Sequence, residues 1–254
     1  MGLWVSKKNV LIVAGSDSVG GAGVQADIKS CEAFGCFSAS VITAVTAQNT
    51  NGVSSVLAMP VSMIKAQFEM VLAELDIDAV KVGMLFNEEI IAVVSGFLKE
   101  LIAKNVPVVI DPVCVAKSGA KLLEDGAIEA LKELLNLATI ATPNVDEARI
   151  LGIDFANLPC DMVLKRTKVD GICEDTLYLK GGEVLKFSEE LFEPKVMHGA
   201  GCSFSSSLAA ILAQQSDLVS AIKMAKKFVA NGIKNAHRSK FGTRLINHKA
   251  GLDG

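Results

Sequence analysis

Residues 197–213 combine a glycine-flanked loop with a helix of small, apolar residues, and they carry the clearest chemical signal in the chain. Gly199 and Gly201 open the predicted helix. Since no bulky side chain surrounds such a helix start, its free backbone N–H groups and the positive end of its macrodipole are exposed. This arrangement is typical of an anion pocket, most often for phosphate. Cys202 falls in the first turn, where a thiolate is stabilised. A glycine-rich turn with a buried cysteine explains the same residues equally well, so both interpretations stay open at this point.

Charged residues follow several other apolar, strand-like runs. Asp111 and Lys180 each come directly after such a run, and Glu147 lies shortly after another. Because ligands in open α/β sheets bind beyond the carboxyl ends of the strands, we expect these side chains to meet at one edge of the sheet. A kinase for a small alcohol needs an anion cradle, a cation for the nucleotide phosphates, magnesium ligands and a proton acceptor. Lys180 fits the cation, and Asp111 with Glu147 fits a hydrated magnesium ion. The loop at 199–201 fits the cradle, and Cys202 fits the acceptor.

Two other glycine motifs near the N-terminus are weaker matches. Residues 15–21 resemble the start of a P-loop, but the Lys-Ser/Thr pair that must follow is missing, which excludes that interpretation. Residues 21–26 match a dinucleotide-binding fingerprint. That site also needs an acidic residue at the end of the second strand, where this chain has Gln48 and Asn49. The first loop is also too long for this motif, so a dehydrogenase is disfavoured.

Apolar runs of strand length alternate with helical patterns along the chain, which predicts an α/β fold. The predicted strands are Asn9–Ala14, Ser38–Ala44, Val53–Met59 (an edge strand), Ala79–Gly83, Val106–Ile110, Thr139–Ala141, Thr176–Leu179 and Glu183–Phe187. The predicted helices are Ala22–Phe34, Ser62–Leu75, Glu88–Ala103, Ala120–Leu135, Gly201–Gln214 and Leu218–His237. Residues 152–175 show no regular pattern. Strands that are apolar on both faces indicate a largely parallel sheet with helices on both sides.

Length and composition exclude several classes of protein. The 254 residues show no internal repeat or linker, so we expect a single domain over residues 1–254. With a net charge of −3 and 5% aromatic residues, the chain has no basic stripe for nucleic acid. No apolar run approaches the ~20 residues of a membrane span, and no signal-peptide pattern is present. Six cysteines without a Cys-x-x-Cys pair indicate reduced thiols in a cytoplasmic protein, without structural zinc.

Taken together, these motifs resemble the ribokinase superfamily, and more narrowly the hydroxymethylpyrimidine/phosphomethylpyrimidine kinases of thiamine biosynthesis. The resemblance covers most of the chain, and its first two segments are long and specific. The matching segments are Ala14–Asp27, Ser40–Thr50, Val82–Leu85, Asp111–Val113, Ala116–Gly119, Thr142–Ala148, Lys180–Gly182 and His198–Cys202.

The resemblance implies a ribokinase-like three-layer α/β/α fold with a central, mostly parallel sheet. It implies that ATP, with Mg²⁺, phosphorylates 4-amino-5-hydroxymethyl-2-methylpyrimidine and then its monophosphate, in a cytoplasmic homodimer. Cys202 occupies the position where most relatives of the superfamily have an aspartate base. The remaining implied site residues are Gly15, Asp27, Gln48, Met84 and Val113 for the pyrimidine; Asn144, Lys180, Gly199, Ala200 and Gly201 for the nucleotide and phosphate; and Asp111 and Glu147 for magnesium. Lys117 is expected on a flap over the substrate.

The chain departs from the family pattern in two places. Ala200 replaces the usual threonine of the Gly-Thr-Gly-Cys loop, which removes one hydroxyl contact to phosphate. The region from Gly152 to Met197 is shorter than usual, which bears on nucleotide binding and on the second phosphorylation. Two alternatives therefore stay open. One is a pyridoxal or pyridoxine kinase, whose substrate also bears a hydroxymethyl group. The other is a pyrimidine-binding module that has lost phosphoryl transfer.

Overall fold

The computed structural model describes residues 7–116, 119–169, 171–190 and 197–252. The strands are β1 Asn9–Asp17, β2 Phe37–Asn49, β3 Gly52–Ala58, β4 Ala79–Val82, β5 Val108–Ile110, β6 Ile140–Ala141, β7 Asp161–Val169, β8 Ile172–Tyr178, β9 Val184–Glu190, β10 Met197–His198, β11 His237–Arg238 and β12 Arg244–Leu245. The helices are α1 Gly23–Ala33, α2 Val61–Glu74, α3 Glu88–Ile102, α4 Ile128–Leu134, α5 Val145–Ile150, α6 Ala200–Leu212 and α7 Leu218–Lys234. Short 3₁₀ helices cover Asp125–Ala127, Leu135–Leu137 and Ala250–Leu252.

Nine strands form the central sheet in the order β3-β2-β1-β4-β5-β6-β7-β8-β9. The six strands from β2 to β7 in that order pair in parallel. Only the outer strands run antiparallel: β3 against β2 at one edge, and the β7-β8-β9 ribbon at the other. The predicted mostly parallel sheet with an edge strand near residues 53–59 is confirmed.

Helices cover both faces of the sheet because its central strands are apolar on both sides. In β1, Leu11 and Val13 pack in the same core cluster as residues of α2, α3 and α4. Val10 and Ile12 pack on the opposite face, in the cluster that contains residues of α1, α6 and α7. The alternation of side chains along a strand therefore feeds two separate hydrophobic layers. The structure has the three-layer α/β/α arrangement that the resemblance implied.

Two stretches differ from the prediction. The helix predicted over Ala120–Leu135 begins only with the 3₁₀ turn at 125–127, because residues 120–124 form an extended segment. There the Glu124 N–H donates to the Phe86 carbonyl, and Leu122 and Leu123 are buried. Residues 152–175, which show no sequence pattern, contain β7 and the start of β8.

Among the described residues, no helix combines the length and the apolar character that crossing a membrane requires.

A small second sheet ties the C-terminal segment to the start of α6. Its order is β10-β12-β11, with β12 parallel to β10 and antiparallel to β11. The buried His248 lies farther along this segment, and its Nε2 is 2.8 Å from the Ser203 hydroxyl in the first turns of α6. Burial is the main reason that the pKa of His248 falls to about 4. The C-terminal segment thus packs directly behind the predicted anion loop.

Candidate functional site

The carboxyl ends of the parallel strands and the start of α6 surround a cavity of about 730 Å³. Of the residues that the sequence predicted for the site, all except Asp27 and Lys180 line this cavity. They are Gly15, Gln48, Met84, Asp111, Val113, Asn144, Glu147, Gly199, Ala200, Gly201 and Cys202. Lys117 lies outside the described residues. These strand-end residues therefore lie around one cavity, as expected from the sheet topology, and their roles stay predictions.

The start of α6 has the geometry of an open anion cradle. Gly199 precedes the helix with φ near 90°, a left-handed conformation that glycine adopts at little cost. A Cβ on Gly199 would overlap the carbonyl group of Gly21, so the two glycine loops touch backbone to backbone. No described side chain caps α6. The backbone N–H groups of its first turn therefore remain available to a ligand in the cavity.

A buried carboxylate and a buried ammonium lie next to that helix start. Lys165 Nζ donates to Asp111 Oδ1 at 2.7 Å, and Asp111 also accepts from the hydroxyls of Thr142 and Ser205, each at 3.3 Å. Burial alone would raise the pKa of Asp111, but the attraction of Lys165 and the further charge of Lys81 lower it below its ordinary value. A Cβ on Gly201 would lie only 3.2 Å from Lys165 Nζ and 3.7 Å from Asp111 Oδ2. This ion pair therefore faces the anion loop directly.

Lys165 occupies the place at which Lys180 was expected. Lys180 is exposed in the connection between β8 and β9, where its ammonium donates to the Pro159 carbonyl at 3.1 Å. It does not line the cavity, whereas Lys165 does. The sequence contains a signal for Lys165, because this lysine follows the short apolar run 162–164 just as Lys180 follows the run 177–179.

Glu147 and Asn144 form a capping box at the start of α5. The Asn144 side chain accepts from the Glu147 N–H at 2.9 Å, and the Glu147 carboxylate accepts from the Asn144 N–H at 2.8 Å. Burial raises the pKa of Glu147 to about 7, although the nearby Lys165 opposes the shift. No group of three or more metal-ligating side chains occurs among the described residues. Asp111 and Glu147 both line the cavity, and two carboxylates leave most ligand positions of a Mg²⁺ ion to water and phosphate oxygens.

Asp27 lies behind the cavity wall rather than in it. Its carboxylate is fully buried and accepts from Lys81 Nζ at 2.6 Å, while its second oxygen has no hydrogen-bond partner among the described residues. Burial raises the pKa of Asp27 to about 6 despite the attraction of Lys81. Lys81, which sequence reasoning missed, lines the cavity. Asp27 therefore holds a cation in the floor of the site.

Cys202 lies at the helix start as predicted, but its surroundings disfavour the thiolate. Burial raises the pKa of this thiol to about 11, even though Lys81 and a backbone hydrogen bond from Gly23 lower it. The nearby Asp27 and Asp111 carboxylates also raise it. The expectation that the helix start alone would stabilise the thiolate is therefore wrong in this environment: desolvation outweighs the helix and the lysine.

Asp17, which is buried, and His198, which is partly buried, form a further contact that sequence reasoning missed. His198 Nε2 is 2.8 Å from Asp17 Oδ2, which also accepts from the N–H groups of Gly21 and Ala22. Burial alone would raise the pKa of Asp17, but the hydrogen bonds with His198 and Gln48 outweigh it and lower the pKa to about 2. The contact holds the loop after β1 against the residue that precedes Gly199.

The other end of the cavity has apolar walls. Met84 packs with Ala44 and Leu122, and Val113 lies against the same cluster. The Thr43 hydroxyl donates to the Met84 carbonyl at 2.6 Å and so fixes that strand end. Gln48 lines the same cavity, and its side-chain amide can both donate and accept hydrogen bonds.

The chain is similar to known kinases along nearly all of its length. A sequence model of the family described as phosphomethylpyrimidine kinase matches residues 17–247. The hydroxymethylpyrimidine/phosphomethylpyrimidine kinase of Haemophilus influenzae is 39% identical, over 96% of this chain and 97% of that protein. The thiamine biosynthesis bifunctional protein ThiED of Geobacter sulfurreducens is 38% identical over 94% of this chain, which spans only 52% of that protein. The crystallised pyridoxal kinase of Staphylococcus aureus, in complex with ADP, superposes with a TM-score of 0.86 at 30% identity, covering 98% of this chain and 96% of that one.

Proposed function

This chain belongs to the phosphomethylpyrimidine kinase family, and we propose that its cavity catalyses phosphoryl transfer from ATP to 4-amino-5-hydroxymethyl-2-methylpyrimidine and then to the monophosphate, in thiamine biosynthesis. One observation carries the assignment of the cavity. The open start of α6, the Lys165–Asp111 pair and the Cys202 thiol face one hollow whose far wall is apolar. These are the parts that an alcohol kinase for a flat ring requires.

The proposed reaction assigns each of these groups one task. The ring lies between Met84 and Val113, and the Gln48 amide bonds its amino edge. Cys202, in its thiolate form, takes the proton of the hydroxymethyl group. The alkoxide oxygen forms a bond to the γ-phosphorus of ATP, and the bond from that phosphorus to the β–γ bridging oxygen breaks, so ADP leaves with the electron pair. The N–H groups at the start of α6 and Lys165 stabilise the charge on the moving phosphoryl group.

Magnesium belongs to this proposal through the donor set of the site. Asp111 and Glu147 would hold the hydrated ion, which neutralises the phosphate charge of ATP when bound. The Asn144 amide holds the Glu147 backbone, so its role in the site is to position that carboxylate.

A second candidate substrate is pyridoxal, because the Staphylococcus aureus pyridoxal kinase superposes over 98% of this chain. The higher identity to a pyrimidine kinase favours the pyrimidine. The assay is ADP release with each ring alcohol separately, followed by the pyrimidine monophosphate. We expect the highest kcat/KM with the pyrimidine alcohol. A higher kcat/KM with pyridoxal would reverse the assignment, and calorimetric binding of the pyrimidine without ADP release would identify a binding module.

The homodimer and the cytoplasmic location remain predictions from the resemblance. A sedimentation experiment on the purified chain measures the first. If the chain sediments with the mass of one copy, 26.7 kDa, at micromolar concentration, the dimer prediction fails.

A further inference from the structure

Arg166 has a backbone conformation that is unusual for its residue type. Its φ is 64°, in the left-handed region, although it lies within a strand. The register between β7 and β8 shifts between Leu164 and Thr167, so Arg166 lies in a bulge. A side chain in this conformation is disfavoured because its Cβ crowds the backbone, and glycine would relieve the strain. Strained residues of this kind concentrate at functional sites.

The surrounding structure holds this bulge in place from below. The Arg166 N–H donates to Asp175 Oδ1 at 2.7 Å, and Asp175 Oδ2 accepts from Lys226 Nζ at 2.7 Å. Asp175 and Lys226 are both buried. The preceding Lys165 N–H donates to the Pro143 carbonyl. A buried ion pair from α7 and β8 therefore fixes the backbone that directs Arg166.

The side chain of Arg166 reaches the anion loop. It lines the cavity, and its Nη2 atom would be 4.0 Å from a Cβ built on Gly201. Arg166 is exposed, and no carboxylate of the described residues lies within ion-pair distance of its guanidinium. Lys165 approaches the same point from the buried side and is paired with Asp111. Arg166 thus offers a forked donor at the mouth of the cavity that forms no salt bridge with a described residue, although its charge lowers the pKa of the Glu147 carboxyl.

The position of β7 in the sheet indicates which phosphate Arg166 meets. Gln48 and Met84 of the pyrimidine wall belong to β2 and to the end of β4, whereas Arg166 belongs to β7. Five strand-to-strand steps separate β2 from β7, roughly 24 Å at the usual spacing, whereas Val113, which follows β5, is two steps from β7. The start of α6 lies between these two ends of the cavity. Arg166 therefore lies at the end of the cavity opposite Gln48, beside Lys165 and the start of α6, where the proposed reaction has the phosphate groups.

We propose that Arg166 binds the terminal phosphate oxygens of the nucleoside triphosphate, as a second cation beside Lys165 and the start of α6. The inference rests on the proposed function for the identity of the donor. An arginine fork matches two phosphate oxygens at once, which a lysine does not. The strain at Arg166 is thereby explained: the bulge points a charged side chain at the anion loop, where glycine would leave none.

The test compares Arg166→Gly, Arg166→Lys and the control Arg238→Ala, which removes an exposed arginine of β11 outside the cavity. Calorimetry measures binding of the non-hydrolysable ATP analogue AMP-PCP and of AMP, and thermal unfolding gives Tm. We expect Arg166→Gly to weaken AMP-PCP roughly tenfold to a hundredfold, as loss of charge-assisted hydrogen bonds does, with AMP affected little. Arg166→Lys should fall between, and Arg238→Ala should match the parent. The Tm of Arg166→Gly should be equal or higher, since the strain is gone.

Several outcomes overturn the proposal. They are an unchanged Kd for AMP-PCP in Arg166→Gly, equal losses for AMP and AMP-PCP, and a selective loss of pyrimidine binding. Failure of the proposed function gives a different pattern: the parent chain binds AMP-PCP with the Arg166 dependence intact but releases no ADP with the pyrimidine.

Discussion

Replacing Cys202 with alanine removes the proton acceptor of the proposed reaction and leaves the backbone of α6 in place. The pKa of this thiol is about 11, because burial outweighs the attraction of Lys81. At pH 7.5, roughly one thiol in three thousand is then ionised, so ionisation costs about 5 kcal/mol at that pH. Bound substrates can offset part of this ionisation energy. The part that they do not offset adds to the activation free energy of the reaction.

Two consequences can be measured by coupled ADP release with saturating ATP and pyrimidine alcohol. Cys202→Ala should lower kcat by at least ~100-fold, as loss of a general base does. In the parent, kcat should rise with pH between 7.5 and 9.5, approaching tenfold per unit, because the ionised fraction rises in that proportion. Cys202→Ala should lose this slope. Cys173→Ala, which removes a half-buried thiol of β8 outside the cavity, should keep both the rate and the slope.

A turnover rate of Cys202→Ala comparable to that of the parent would refute the role of Cys202 as proton acceptor. That role is also refuted if the variant keeps the parent's pH slope, because the titrating group is then elsewhere. Circular dichroism and Tm establish that the variant is folded before either result is interpreted.

Three further predictions follow from described contacts. Lys165→Met should lower activity by more than ~100-fold and destabilise the chain by about 3–5 kcal/mol, since it leaves the buried Asp111 carboxylate unpaired. The control Lys180→Met should resemble the parent in ADP-release kinetics and urea unfolding. A larger loss in the Lys180 variant would contradict the site geometry. Gly199→Ala should lower kcat at least tenfold and reduce Tm, because the added Cβ meets the backbone carbonyl of Gly21. The control Gly181→Ala, with open space around the added Cβ, should change neither quantity. Equal behaviour of the two variants would contradict the tight loop contact. The pKa of His248 falls from 6.5 to about 4 on folding, so between pH 6.5 and pH 4 mainly the unfolded state binds the proton and the stability declines. Urea unfolding at pH 5 should show a loss of about 2 kcal/mol from this group. His248→Gln should lack that component of the pH dependence.

The sheet was predictable because buried parallel strands are short apolar runs, and such runs are visible in the sequence. The strand-end residues followed from topology, which is why Asp111, Gln48 and Cys202 fall in one cavity. The Lys-Gly-Gly sequence motif was a less reliable guide to position. Lys180 precedes two glycines as the family pattern requires, but here Gly182 has φ near 91° and closes the hairpin between β8 and β9.

The buried charges were not predictable from a single sequence. Lys81 lies within the apolar run of β4, and only the three-dimensional contact shows that Asp27 of α1 neutralises it. Strand β7 was missed because Lys165, Arg166 and neighbouring polar residues interrupt its apolar pattern. Their partners, Asp111 and Asp175, are respectively 54 and 9 residues away along the chain, and local propensity contains no information about such pairings.

The contact between Asp17 and His198 joins segments 181 residues apart, and α6 packs beside α1 on the same face of the sheet. A chain synthesised from its N-terminus therefore contains Gln48, Met84 and Val113 long before it contains the anion loop at 199–201. Until residues 200–234 have been synthesised, this face of the sheet lacks α6 and α7, and only α1 of the three helices in that cluster is available to cover its apolar residues. Transiently exposed apolar surface of this kind favours aggregation of partly folded chains, and the cavity is incomplete until the start of α6 has been added.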